Sequence, residues 1–103
     1  MMYARVARFE GINVAAAEAT MAQAEEVLRP MMEALDGYAG HLELIGADGN
    51  GISVTFFDTQ QQAEAAEPTF DVEMPKRLGD LFQQWEGRRV EAGGYNVVVD
   101  ERR

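Results

Sequence analysis

The chain has 103 residues, nine basic against eighteen acidic, a net charge of −9, an ordinary apolar fraction of 47% and no cysteine. That length suits one domain spanning 1–103, and the acidic balance disfavours nucleic acid and anionic membrane as partners. Without cysteine, disulfides, thiolate catalysis and thiolate-held metal centres are excluded. No apolar run approaches the ~20 residues of a membrane span. The opening MMYARVARFE has arginines where a signal peptide needs its apolar stretch, so a cytoplasmic protein is expected.

Tyr3 to Glu10 alternates as YARVARFE, the period of a strand, and Gly11 ends it. Asn13 is placed to cap a helix. Val14, Ala17, Met21, Ala24, Leu28, Met31 and Leu35 then recur at three- and four-residue spacings, one apolar stripe on a long helix. Glu18, Glu25, Glu26, Arg29, Glu33 and Asp36 form its solvent face. Pro30 is expected to kink or split this helix, and Gly37 to cap it. His41 to Gly46 reads as a second strand, Ala47 to Gly51 as a hairpin connection, and Ile52 to Asp58 as a third strand.

Thr59-x-x-Gln62 has the form of a capping box. Pro68 and Pro75 predict a short helix followed by a longer one, with Phe70, Met74, Leu78, Leu81, Phe82 and Trp85 on its buried face. Arg89 to Asp100 reads as a fourth strand with a bulge at Gly93-Gly94. The order β-α-β-β-α-β is that of the ferredoxin-like fold, an α+β class with four antiparallel strands and helices on one face. Leu42, Leu44, Ile52, Val54 and Phe56 are expected to face the helices. His41, Ile45, Thr55 and Phe57 then lie on the other face, too apolar to stand bare. A second copy across a two-fold axis covers it, making a homodimeric α/β barrel, with Val97-Val98-Val99 reaching over the seam.

The segments YARVARFEG, ALDGYAGHLEL, GADGNG, ISVTFFDTQQQAEAAE and RRVEAGGYNVVV together resemble the small dimeric α/β-barrel proteins grouped with the antibiotic-biosynthesis monooxygenase domain. The resemblance implies the fold and the dimer. It says little about reaction, because such proteins include cofactor-free oxygenases of phenolic compounds, quinol oxygenases, haem-degrading enzymes and members with no known activity. The haem-degrading branch uses a first-strand Asn, a Trp closing the third strand and a later His. Here Arg5 and Arg8 stand on the first strand, Phe57 closes the third, and no His follows His41. Haem degradation is therefore disfavoured, and no cofactor or metal is expected.

His41, the only histidine, is the candidate general base. Arg5 either stabilises an anion or makes a structural ion pair with Glu43 or Glu91; Arg8 takes its place if the strand faces the other way. Thr55, Phe57, Tyr95 and Tyr38 are candidate substrate-binding residues, and Trp85 belongs to the core stripe. The expected function is binding of a small aromatic or enolic compound, with cofactor-free oxygenation if the protein is an enzyme. The alternative is a non-catalytic barrel that binds a ligand or protein partner.

Overall fold

A computed structural model describes residues 1–102. The strands are β1 (Tyr3–Glu10), β2 (Tyr38–Ile45), β3 (Gly51–Phe57) and β4 (Arg88–Asn96), paired antiparallel in the order β2-β3-β1-β4. The helices are α1 (Val14–Glu33), α2 (Gln60–Ala65) and α3 (Met74–Trp85), the last preceded by a π-helical turn at Thr69–Glu73. This is the ferredoxin-like βαββαβ arrangement, with the second crossover broken into three pieces.

Local chemistry sets the boundaries. The Asn13 side chain accepts the Ala16 N–H at 3.1 Å and starts α1. Pro30 does not split α1, which runs 20 residues and ends three residues beyond it. Gly37 is not the cap; Ala34 is, and Gly37 follows with φ +73°. A side chain at Gly37 would collide with the Gln62 side chain, so glycine lets the end of α1 meet α2. Thr59 accepts the Gln62 N–H at 3.2 Å and starts α2. At β4 the register slips between Arg8 and Phe9, leaving Val90 as the extra residue, and Gly93 and Gly94 pair regularly. The expected glycine bulge is thus displaced. Gly94 instead makes room for the Tyr3 ring, whose hydroxyl occupies the space where a Cβ would stand.

The helices pack on the face of the sheet opposite to the one expected. Arg5, Ala7, Thr55 and Phe57 are buried beneath them, while Leu42, Leu44 and Ile52 are 41%, 50% and 39% exposed. The open face, with Val54 and Phe56 also on it, is the more apolar of the two. Hydrophobicity marks a surface for burial but does not say against what. The core is built from Ala24, Leu28 and Met32 of α1 against Met74, Leu78 and Leu81 of α3. A smaller cluster joins fully buried Phe57 to Ala63 and Ala66. Each large apolar side chain so buried contributes roughly 1.5–3 kcal/mol. None of the described helices is long and apolar enough to cross a membrane.

Candidate functional site

The register lays out the helix-facing side of the sheet as a grid. His41 lies beside Thr55, and Thr55 beside Arg5 and then Gly94; in the next row come Glu43, Ser53, Ala7 and Ala92. The middle of this grid is small: alanine, serine and threonine. Helices held off by larger side chains at the rim cannot close onto so low a floor. A cleft of about 280 Å³ results, with Ala7, Ser53 and Thr55 below and Leu28, Met32, Phe70, Met74 and Phe82 above. A second lobe of about 180 Å³ continues toward Trp85, Met21 and Ile45 and shares the Glu43 and Phe82 walls. The second lobe is almost wholly apolar.

One end of the cleft holds two arginines, Arg5 and Arg89, with the carboxylates of Glu67 and Asp71. Arg5 is 6% exposed. Its Nε donates to Glu67 Oε1 at 3.0 Å, and its guanidinium carbon lies 3.9 Å from the Phe70 ring centroid, close enough for a cation–π contact. Neither Glu43 nor Glu91 pairs with it, as the sequence had suggested; Glu91 instead holds Arg8 on the open face. Asp71 sits between the two arginines, accepting from Arg89 at 3.0 Å but lying 3.9 Å from Arg5 Nη2, beyond hydrogen-bond range. Arg5 Nη2 is buried without a partner among the described residues. A buried donor left unpaired costs about 1–3 kcal/mol, more when charged, and an anion in the cleft would relieve that cost.

The other end, on β2, holds titratable groups. His41 Nε2 lies 3.0 Å from Glu25 Oε1 of α1, and His41 Nδ1 lies 2.5 Å from the Tyr38 hydroxyl. Both ring nitrogens are therefore engaged within the protein. Burial, reinforced by Glu25 and Glu33 and opposed by Arg29, raises the Tyr38 phenol above its ordinary range. Glu43 follows two residues after His41 on the same face, and its Oε1 accepts from Ser53 Oγ at 2.8 Å. Glu43 is solvent-exposed where it borders both lobes, although protein atoms crowd around its carboxyl. Desolvation, with a smaller push from Glu25, raises its carboxyl to about 7, against the Ser53 hydrogen bond and His41, which lower it.

Five of the six expected site residues face the helix side. Arg5, His41 and Thr55 line the cleft. Phe57 is fully buried beneath α2, edge-on to Phe70, and supports the cleft without lining it. Tyr38 opens β2 and reaches the site through His41. Tyr95 is separate: it is 54% exposed on the open face, beside Ala4 of β1. Trp85 lines the apolar lobe, its indole N–H donating to Thr20 Oγ1 at 2.6 Å. Glu43, Glu25, Glu67, Asp71 and Arg89 were not foreseen as site residues. Glu43 alone had a legible signal, its spacing of two from His41. Glu25 had been placed on the solvent face of α1. No group of three or more side chains among the described residues is arranged to hold a metal ion.

The sequence matches no protein-family model and no curated protein. Solved structures do match. A cofactor-independent oxygenase from Streptomyces nogalater, SnoaB, superposes with a TM-score of 0.63 at 13% identity, covering 96% of this chain and 95% of its own. A dimeric ferredoxin-like protein from an uncultured marine organism gives 0.66 at 14%, covering 98% and 99%. A candidate antibiotic biosynthesis monooxygenase from Bordetella bronchiseptica gives 0.61 at 18%, covering 95% and 98%.

The likeness is one of fold. It spans nearly the whole chain and includes proteins of the monooxygenase type, in keeping with the resemblance read from the sequence. At these identities the chemistry has to be argued from the cleft itself.

Proposed function

We propose that this chain is a cytoplasmic homodimer that binds a small anionic aromatic or enolic compound in the cleft and oxygenates it without a cofactor. The observation that carries this reading is Arg5, a lining residue of a cleft of about 280 Å³ whose Nη2 is buried without a hydrogen-bond partner among the described residues. A phenolate, enolate or carboxylate oxygen suits that donor, and the Phe70 and Phe82 side chains suit a flat apolar body. The homodimer rests on the open sheet face, where Leu42, Leu44 and Ile52 stand exposed, and on the dimeric description of the marine neighbour.

The chemistry runs in four steps. A group at the β2 end, where His41 and Glu43 stand, takes a proton from an acidic ring methylene or hydroxyl. The anion, held by Arg5, passes one electron to dissolved dioxygen. Substrate radical and superoxide combine and, with a proton, give a hydroperoxide. Loss of water then leaves a carbonyl, so that CH2 and O2 become C=O and H2O.

A thermal-shift panel of hydroxylated polycyclic aromatics, quinols and enolic acids tests the binding step. A ligand at a hundredfold excess over its dissociation constant adds roughly 2.7 kcal/mol. That should raise the midpoint by several degrees, and oxygen uptake with the same compound should follow. Binding without oxygen uptake would favour the non-catalytic barrel. A flat panel from a well-folded dimer would overturn the small-molecule reading.

A further inference from the structure

His41 was the natural candidate for the base, but its surroundings use up its proton-accepting capacity. A neutral imidazole has one lone pair in the ring plane, and an imidazolium has none. Glu25 Oε1 lies 3.0 Å from Nε2, and an ionised carboxylate there requires Nε2 to carry hydrogen. The remaining nitrogen, Nδ1, lies against the Tyr38 hydroxyl at 2.5 Å. In the neutral ring Nδ1 accepts that O–H; in the cationic ring it donates. Neither form leaves a lone pair for a molecule in the cleft.

We infer that Glu43 is the group that takes the substrate's proton, and that His41 is a positioning residue held by Glu25 and Tyr38 beside it. The geometry has three parts. Glu43 borders both lobes of the cleft, so a molecule extending from Arg5 into the apolar lobe passes its carboxyl. Ser53 binds Oε1 and fixes the carboxyl plane, while Oε2 has no hydrogen-bond partner among the described residues. The span also fits. Arg5 and Glu43 are two strands and one row apart, roughly 12 Å between Cα atoms at ordinary sheet spacings, with only Ala7, Ser53 and Thr55 between them. A fused aromatic with an anionic oxygen at one end and an acidic hydrogen farther along matches that distance once both side chains extend inward.

The proton balance is simple. A C–H or O–H bond of the substrate breaks, its electron pair stays on the substrate as the enolate or phenolate, and the hydrogen forms an O–H bond on Glu43 Oε2. The carboxyl group's position near neutrality suits it to take a proton and release it again. The charged and titratable groups facing Glu43 are His41 on its own strand and Glu25 on α1, with the Ser53 hydroxyl on β3; α3 presents Met74, Pro75, Phe82 and Trp85 to the two lobes, none of them titratable.

The inference rests on the small-molecule reading above, and its test separates the two. With oxygen excluded, a dihydroxyanthrone is incubated with the protein in heavy water, and deuterium entry at its ring methylene is followed by NMR. Binding is read independently from quenching of Trp85. The wild type should accelerate exchange, Glu43→Gln should bind the anthrone but lose roughly 10²–10⁴-fold in exchange, and Glu43→Asp should recover part of it. His41→Gln should retain exchange within about tenfold while the midpoint of its pH profile moves upward, because His41 holds the Glu43 carboxyl down. Binding with unimpaired exchange in Glu43→Gln, or exchange abolished in His41→Gln alone, would overturn the assignment and leave the binding reading intact. Failure of the folded wild type to bind the anthrone would overturn the assignment of Glu43 for this substrate class.

Discussion

Replacing Glu43 by glutamine keeps the side chain's size and its acceptor for Ser53 but removes its titration. In the folded protein the carboxyl is raised from an ordinary 4.5 to about 7, so folding favours the protonated form. The sign follows from linkage: the contribution of Glu43 is fully present below about pH 4.5 and is lost as pH rises through about 7. At 1.36 kcal/mol per pH unit, that interval sets a ceiling of roughly 3 kcal/mol. Solvent in the cleft reaches Glu43, and screening should reduce the effect to about 1 kcal/mol. Urea unfolding at fixed protein concentration, repeated from about pH 4 to pH 9, measures it. Glu43→Gln should match the wild type near pH 4 and exceed it by about 1 kcal/mol near pH 8, where the wild type carries a carboxylate that its folded surroundings disfavour. Parallel pH profiles for the two proteins, or a wild type that gains on the variant as pH rises, would refute the account of this wall.

Other consequences follow from the same geometry. Phe57→Ala empties a site with no solvent exposure between β3 and α2; it should cost about 3–5 kcal/mol, read by denaturant midpoint. Phe56→Asp or Leu44→Lys on the open face should convert the proposed dimer to monomer with the fold retained, as read by native mass and circular dichroism; a dimer that survives both changes would place the interface elsewhere. Gly94→Ala should displace the Tyr3 ring, whose hydroxyl occupies the required space, and lower the melting temperature by several degrees, whereas Gly79→Ala, with nothing within 4 Å, should not.

Element order was legible because each signal was local. The YARVARFE alternation, the Asn13 and Thr59 caps and the proline-divided second crossover each depend on a few neighbouring residues, and each appears where expected. Facing was not legible. Ser53 and Thr55 read as residues of the face turned away from the helices and Leu42, Leu44, Ile52, Val54 and Phe56 as the helix side, yet the helices cover the former. In a sheet with apolar residues on both faces, the more polar face can be the one beneath the helices, where small and hydrogen-bonding side chains form the floor of the cleft. The alternation fixed which residues travel together without fixing the direction. Thr55 and His41 were correctly grouped on one face, the choice between Arg5 and Arg8 stayed open until the register placed Arg5 beside Thr55, and Tyr95 lies on the opposite face. Glu25 was missed because it lies within an otherwise acidic stretch of α1, where nothing local distinguishes the carboxylate that meets His41 from those that meet water. The Arg5–Glu67 and Arg89–Asp71 pairs join residues 62 and 18 positions apart, a relation no short motif encodes.

The central claim is that Arg5 anchors an anionic ligand in the cleft, and the chain's single tryptophan reports on it directly, since Trp85 lines the adjoining lobe. Titrating a hydroxylated naphthoate into the wild type and into Arg5→Met, with Trp85 fluorescence as the signal, is the most direct measurement. Saturable quenching in the wild type and at least about tenfold weaker binding in a folded Arg5→Met, as expected for loss of a charge-assisted hydrogen bond, is the predicted result. Equal binding by the two proteins, or no saturable quenching in a folded wild type, would contradict the account.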